Sequence, residues 1–389
     1  MLSKRDIESI LNKDWEITAI VFYGRSGSFF LGNLLDGHHQ LITPSPIICQ
    51  YLYPVMQLGF DDPEHPNVCF SQDIKKITQR LLTYDECCGS YFSQPHVQEL
   101  IDRIVHKCDC LSRRDLLLLL VVVIHMNERN LDSIEDLPNK IIFQLHTPGA
   151  VGITSLLQDF RNVTFIYMVR KPLESYISHM WHHLNDGCHK SRLAGFICFS
   201  AVPFIPALQE ITKAVRIEEL KSKPREMMDK LARLIGVDWD NIFLVPTVGG
   251  NVEDNIFNGF DRFVARLGGL DMLSNIPPEE LPWFKTESTR NDKEPMFSAA
   301  ESEAIEIALS SYYKKWNYTP EWIVAPMSEA NNKKALEVFK TPFSMPPLKH
   351  LPPETDGRDQ FRLKISMCDM FNRKPDPIEL FTTDEKLFF

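Results

Sequence analysis

Residues 17–30 read ITAIVFYGRSGSFF, and this stretch decides the fold. Its first half, Ile17–Tyr23, is a nearly continuous apolar and β-branched run, typical of a strand buried on both faces of a parallel sheet. The glycine-containing turn leads directly into residues 29–35, whose apolar spacing is helical and ends near Gly37. A strand, a loop and a helix in this order predict an anion site at the loop.

Further strand and helix patterns follow along the chain. Apolar strand runs are predicted at Lys140–Leu145, Val163–Val169 and Val215–Ile217. Pro172 is placed to open a helix, and a second helix at 225–235 ends at Gly236. This alternation predicts an α/β fold in three layers, with a largely parallel central sheet and flanking helices.

The chain is predicted to divide into one α/β domain and a tail. Residues 1–325 form the domain, with a mostly helical insert at about 50–138 in which Ser112 caps a leucine-rich helix. Residues 326–389 form a C-terminal extension that is rich in proline between 342 and 353.

Composition and charge exclude several classes of protein. The formal net charge of −10 argues against a general nucleic-acid binder, which would carry a basic face. The longest apolar run, Leu116–Ile124, is too short to cross a membrane, which takes about 20 residues. The 9 cysteines are odd in number and lack zinc-ligand spacing. We therefore expect free thiols, no membrane span and a cytoplasmic location.

The loop Gly24–Ser28 carries the groups that an anion needs. Its backbone N–H groups and the helix N-terminus point toward a ligand, and Ser26 and Ser28 add hydroxyl donors. Arg25 adds a planar, positively charged fork. No Walker A pattern occurs here, so the lysine that grips a nucleoside triphosphate is missing. A tight turn that binds nothing is the alternative.

The motif GRSGS with FLGNLLDGH after it resembles the 5′-phosphosulfate loop of the sulfotransferase family. The resemblance implies the P-loop-like fold of that family and the donor 3′-phosphoadenosine 5′-phosphosulfate. The donor-binding residues that it implies in this part of the chain are Gly24, Arg25, Ser26, Gly27, Ser28, Phe29 and Phe30. Phe29 departs from the pattern, because the family commonly has a second hydroxyl residue there. Phe30 matches a tryptophan that packs on the adenine, although a core role is the alternative.

Arg170 and Ser178 form the second candidate motif. Arg170 closes a predicted strand, and Ser178 lies 8 residues further on, in the helix that Pro172 opens. An arginine and a serine so placed can hold one phosphate together, and the spacing is similar to the 3′-phosphate motif of sulfotransferases. The alternative is an arginine paired with an acid and a surface serine; Ser175 is a weaker candidate for the serine.

His146 is the candidate catalytic base. It follows a predicted strand, at the edge where open α/β sheets bind ligands, and lies 24 residues before Arg170. The segment FQLHTP resembles the strand end that carries the catalytic histidine of cytosolic sulfotransferases, with Gln144 and Leu145 replacing the usual Lys-Thr. A structural histidine, or an acid elsewhere as the base, is the alternative.

The resemblance implies a reaction as well as a donor. A sulfuryl group moves to a hydroxyl or amine of a small molecule or carbohydrate, adenosine 3′,5′-bisphosphate leaves, and Arg25 stabilises the leaving phosphate. No metal is required. Two other functions stay open: a P-loop small-molecule kinase, and a non-catalytic interaction protein on a sulfotransferase-like scaffold. A homodimer is also left open.

Overall fold

The computed structural model describes residues 3–22, 26–44, 68–70, 110–135, 137–146, 156–185, 212–252, 276–285 and 297–322. The tail at 326–389 and most of the insert at 50–138 lie outside these ranges. The strands are β1 (Glu16–Phe22), β2 (Leu41–Ile42), β3 (Val68–Phe70), β4 (Cys110–Ser112), β5 (Lys140–His146), β6 (Val163–Val169), β7 (Thr212–Arg216), β8 (Thr247–Val248) and β9 (Asn251–Val252). The α-helices are α1 (Lys4–Asn12), α2 (Ser28–Asp36), α3 (Arg113–Glu128), α4 (Pro172–Asn185), α5 (Ile217–Ser222), α6 (Pro224–Ile235), α7 (Ala299–Ala308) and α8 (Ser310–Lys315). Short 3-10 turns lie at Asn241–Leu244 and Pro278–Glu280.

The central sheet has five strands in the order β2-β5-β1-β6-β7, and its pairs are all parallel. β1 lies in the middle, with Phe22 level with His146 of β5 on one side and Met168 of β6 on the other. The apolar runs form these strands because a parallel strand between two helical layers is buried on both faces.

Helices cover both faces of the sheet. Leu31 of α2 and Leu231 of α6 share one buried cluster with Ile20 of β1. On the opposite face, Leu117 of α3 lines a small apolar cavity together with Ile141 of β5. The predicted three-layer α/β fold with a largely parallel sheet is thereby confirmed.

Several predicted boundaries are close to the observed ones. Ser112 caps α3 through a hydrogen bond from the Asp115 N–H group (3.1 Å). The leucine-rich run is a fully buried segment of α3. Within the described ranges, no helix is long and apolar enough to span a bilayer. Ile217 begins α5, however, where the sequence pattern placed the end of a strand.

A buried carboxylate fixes the C-terminal end of α2. Asp36 pairs with Arg129 at 3.1 Å and accepts hydrogen bonds from the hydroxyls of Thr43 and Thr247, both at 2.9 Å. The Gly250 N–H group in the β8–β9 turn donates to the same carboxylate at 2.7 Å. The network thus joins α2 to the end of α3 and to the small hairpin.

We expect Asp36→Ala to lower the free energy of unfolding by about 3 kcal/mol, because it removes the buried carboxylate that pairs with the largely buried Arg129 side chain. Urea denaturation measures this loss. The control is Asp229→Ala, which removes an exposed pair with Arg233 on α6 and should cost at most about 1 kcal/mol. Equal losses for the two variants would show that the Asp36 network does not stabilise the fold.

Candidate functional site

The carboxyl edge of the sheet brings the predicted site segments together. The chain leaves β1 toward β2 on one side of the sheet, whereas β6 and β7 lie on the other side. A crevice for a ligand is expected at such a reversal, above the end of the central strand. His146 and Met168 flank Phe22 in register, and Arg170 follows two residues after Met168. The loop after β1, the end of β5 and the residue after β6 therefore border this crevice.

Ser26 supplies the most informative side chain of the loop. Its exposed fraction is 0%, and its hydroxyl oxygen is buried without a hydrogen-bond partner among the described residues. A buried polar group without a partner costs about 1–3 kcal/mol, so each such group calls for an explanation. Ser28, the first residue of α2, is buried too. Gly24 and Arg25 lie outside the described residues, so their predicted roles stay predictions.

Gly27 holds the loop against the next part of the sheet. It is the N-cap of α2 in the left-handed conformation, with a φ of 90°, and no side chain caps the helix there. A Cβ atom at this position would lie 2.7 Å from the Cδ1 atom of Ile217, at the start of α5. The backbone of the loop thus touches the β7–α5 junction, and only glycine fits. The first N–H groups of α2 are therefore left without a capping side chain.

Phe29 and Phe30 lie in different surroundings. Phe29 is 39% exposed and contacts the ring of Phe22 edge-to-face, with ring centres 6.0 Å apart. Phe30 packs partly into the core, against Phe284 at 5.5 Å. Phe30 therefore has the core role that the sequence left open, while part of its ring stays exposed. The structure does not test the predicted contact of Phe30 with adenine, so that contact stays a prediction.

Arg170 follows β6, and Ser178 lies on α4. The guanidinium of Arg170 pairs with Glu174 at 3.4 Å, and both side chains are partly exposed. Pairs of this kind contribute less than about 1 kcal/mol, so an incoming phosphate can compete for the arginine. Ser178 is partly exposed, whereas Ser175 is fully buried.

A chain of hydrogen bonds holds the start of α4 beside Arg170. The Leu173 N–H group donates to the hydroxyl of Tyr313 at 3.3 Å, and that hydroxyl donates to Glu306 at 3.0 Å. Glu306 is fully buried and also accepts the N–H groups of Glu321 (3.0 Å) and Trp322 (2.7 Å). The helices near the end of the described chain thus fix the β6–α4 junction.

Glu218 of α5 is a second residue that holds the β6–α4 junction in place, and the sequence pattern did not reveal it. Its carboxylate accepts the Lys171 N–H group at 2.9 Å and the hydroxyl of Tyr318 at 2.8 Å. Because Lys171 directly follows Arg170, this bond ties the β6–α4 junction to α5.

Lys221 is a further charged group at this edge that sequence reasoning missed. Its Nζ atom lies 5.9 Å from the centre of the Phe30 ring. Burial lowers the pKa of its ammonium group, and the nearby charge of Arg170 lowers it further. The sequence indicated only that Lys221 lies about one turn into the helix that follows a predicted strand.

His146 is the last residue of β5. Its backbone pairs in register beside Phe22, at the edge of the crevice. Its side chain lies outside what the structure describes, so the role as catalytic base stays a prediction.

A group of metal-binding residue types at His38, His39 and Asp240 has a structural role instead. Ligand atoms of the three lie within 4.8 Å of one another. Nδ1 of His38 accepts the Gln40 N–H group at 3.2 Å, however, and its Nε2 donates to the carbonyl of Asp238 at 3.0 Å. Both ring nitrogens are thus used, and His38 has no lone pair for a metal.

Two solved structures are similar to this chain. One is a sulfotransferase domain from the curacin biosynthetic pathway, with a TM-score of 0.40, 17% identity, and coverage of 84% of this chain and 98% of that chain. The other is a sulfotransferase domain from the Synechococcus PCC 7002 olefin synthase, with a TM-score of 0.39, 17% identity, and coverage of 64% and 84%. No protein-family model matches the sequence, and no curated protein matches it significantly. Both structures bear the family name that the loop motif resembles.

We expect Gly27→Ala to lower the free energy of unfolding by more than about 2 kcal/mol, because left-handed strain of about 1–2 kcal/mol adds to the contact with Ile217. Chemical denaturation checks this. Gly236→Ala is the matched control: Gly236 has a φ of 76°, but a new Cβ atom would meet only the end of the Lys140 side chain, at 3.3 Å. If both variants lose the same stability, the close approach to Ile217 adds nothing.

Proposed function

We propose that this protein is a sulfotransferase that transfers a sulfuryl group from 3′-phosphoadenosine 5′-phosphosulfate to a hydroxyl or amine of a small molecule or glycan. The observation that carries the proposal is the buried Ser26 hydroxyl, which has no partner and lies in a loop that opens α2 at the switch point of a parallel sheet. An anionic oxygen is the partner that such a hydroxyl lacks.

The 5′-phosphosulfate end of the donor would bind at the loop after β1. Ser26, Ser28 and the first N–H groups of α2 donate to its oxygens, with the positive end of the helix behind them. Arg25 adds the charge that offsets the negative charge growing on the leaving phosphate, in the role that the motif resemblance assigns to it.

The 3′-phosphate would bind at the β6–α4 junction. Arg170 exchanges its weak pair with Glu174 for the phosphate, and Ser178 donates from α4. Phe30 presents the exposed part of its ring to the adenine. Two anchors on different strands fix the donor on both sides of the reacting sulfur, and this sets the direction of attack.

The donor supplies the sulfuryl group and a phosphate leaving group. His146 takes the proton from the acceptor hydroxyl or amine as the new bond to sulfur forms. The bond from sulfur to the bridging phosphate oxygen breaks, and its electron pair stays on that oxygen. The products are the sulfated acceptor and adenosine 3′,5′-bisphosphate, and the donor set needs no metal.

The acceptor side of the crevice would include Phe29. Its exposed ring stands where a second hydroxyl would otherwise face the donor, and it offers an apolar face to an acceptor.

A cytoplasmic location belongs to the same proposal, because the odd number of cysteines suits a reducing compartment.

Calorimetric titration with adenosine 3′,5′-bisphosphate, compared with ATP plus magnesium, tests the proposed donor. We expect binding of the bisphosphate and weaker binding of ATP, since no Walker lysine is present for the γ-phosphate. Preference for ATP would favour a small-molecule kinase. Binding of neither would favour a non-catalytic interaction protein. Transfer of labelled sulfate to pooled alcohols, phenols, amines and glycans then identifies the acceptor.

Two variants separate the proposed roles. His146→Ala should lower turnover by about 10²- to 10⁴-fold while the affinity for the bisphosphate is kept, because the base acts on the acceptor alone. Arg170→Ala should weaken bisphosphate binding by about 10- to 100-fold. His39→Ala and Arg233→Ala, at exposed positions away from the crevice, are the controls. Full activity of His146→Ala would exclude His146 as the base.

A further inference from the structure

Lys221 is a partly buried cation that no acidic side chain among the described residues pairs with. It lies on α5 with its side chain only partly exposed, and its Nζ atom is 5.9 Å from the centre of the Phe30 ring. Among the described residues, its ammonium group makes no ion pair and no hydrogen bond. Its ammonium group therefore has hydrogen-bonding capacity that the described residues leave unused.

The neighbouring charges make this arrangement costly. Arg170 and Lys221 repel each other, and burial further disfavours the charged lysine, so the pKa of Lys221 is lowered. Glu174 and Glu218 oppose this effect, but each is already engaged. Glu174 pairs with Arg170, and Glu218 accepts from the Lys171 N–H group and Tyr318.

Two cations that repel each other at one edge of a crevice create a positive potential, and this potential favours the binding of a dianion. A phosphate placed between Arg170 and Lys221 removes their repulsion and supplies the missing hydrogen-bond acceptors. The position along the sheet also fits, because Lys221 lies beside Phe30, where the proposed adenine packs, and close enough to Arg170 for their charges to interact. The ribose 3′ position of an adenine nucleotide joins those two regions.

We infer that Lys221 is the second cation of the 3′-phosphate site and that, with Arg170, it selects nucleotides phosphorylated on the ribose 3′ oxygen. This inference rests on the proposed function, because it takes the adenine nucleotide and the role of Arg170 from there. It adds a specificity-determining residue that the motif resemblance does not include.

Titration of Lys221→Met with two nucleotides tests the inference. Affinity for adenosine 3′,5′-bisphosphate should fall by about 10- to 100-fold, the usual effect of losing a charged hydrogen bond. Affinity for adenosine 5′-monophosphate should change by less than about twofold, because that ligand lacks the 3′-phosphate. Lys221→Arg, which keeps the charge, should retain most of the selectivity. Lys223→Met, an exposed lysine two residues away, controls for the change in net charge.

A stability measurement separates binding from a structural role. Removing a partly desolvated, repelled charge should leave the thermal midpoint of the free Lys221→Met protein unchanged or raised. The increase in midpoint on adding the bisphosphate should shrink at the same time. A lowered midpoint in the free protein, with an undiminished increase on adding ligand, would make Lys221 a structural residue and overturn the inference.

The remaining outcomes distinguish this inference from the proposed function. If the wild-type protein binds no bisphosphate, the proposed function fails and the inference fails with it. The wild type is expected to prefer the bisphosphate to the monophosphate. If Arg170→Ala loses this preference while Lys221→Met keeps it, then only the inference about Lys221 fails. An equal loss of affinity for both nucleotides in Lys221→Met also overturns the inference, because selectivity for the 3′-phosphate would then not depend on Lys221.

Discussion

The parallel pairing of β1 with β5 on one side and β6 on the other is the constraint on which the crevice depends. Phe22 ends β1 level with His146 and Met168. A slip of one residue in either pairing would shift the strand end by about 3.3 Å and turn its buried side chains to the opposite face. The burial of both faces forbids such a slip, so the loop after β1 stays level with its neighbours.

The ends of α2 are fixed by two different kinds of interaction. At the N-terminal end, the contact of Gly27 with Ile217 is steric, and it leaves the helix N–H groups uncapped. At the C-terminal end, Asp36 is held by an ion pair with Arg129 and by hydrogen bonds from Thr43, after β2, and from two residues of the β8–β9 hairpin. The helix is therefore anchored by polar contacts at its C-terminal end, whereas no side chain caps its N-terminal end.

The sequence predicted the parts of the fold that depend on local pattern. Continuous apolar runs marked β1, β5 and β6, and the glycine-containing turn after β1 marked the start of α2. β2 was missed, because two residues carry no periodicity and Leu41 joins the sheet only through β5. Lys221 and Glu218 were missed for a similar reason: their neighbours Arg170 and Lys171 lie at the β6–α4 junction, far away in the sequence. For Gly24, Arg25 and the side chain of His146, the sequence pattern is still the only guide.

The carboxylate of Glu306 has a consequence for where the α/β unit ends. Two of its hydrogen-bond donors, the N–H groups of Glu321 and Trp322, come from a segment that follows the last helix described here. Through Tyr313, the same carboxylate reaches the first turn of α4. A protein cut before Trp322 would leave a buried negative charge short of donors, and the damage would reach the arginine at the mouth of the crevice. The folding unit therefore extends at least to Trp322, although β7, the last described strand of the central sheet, ends at Arg216.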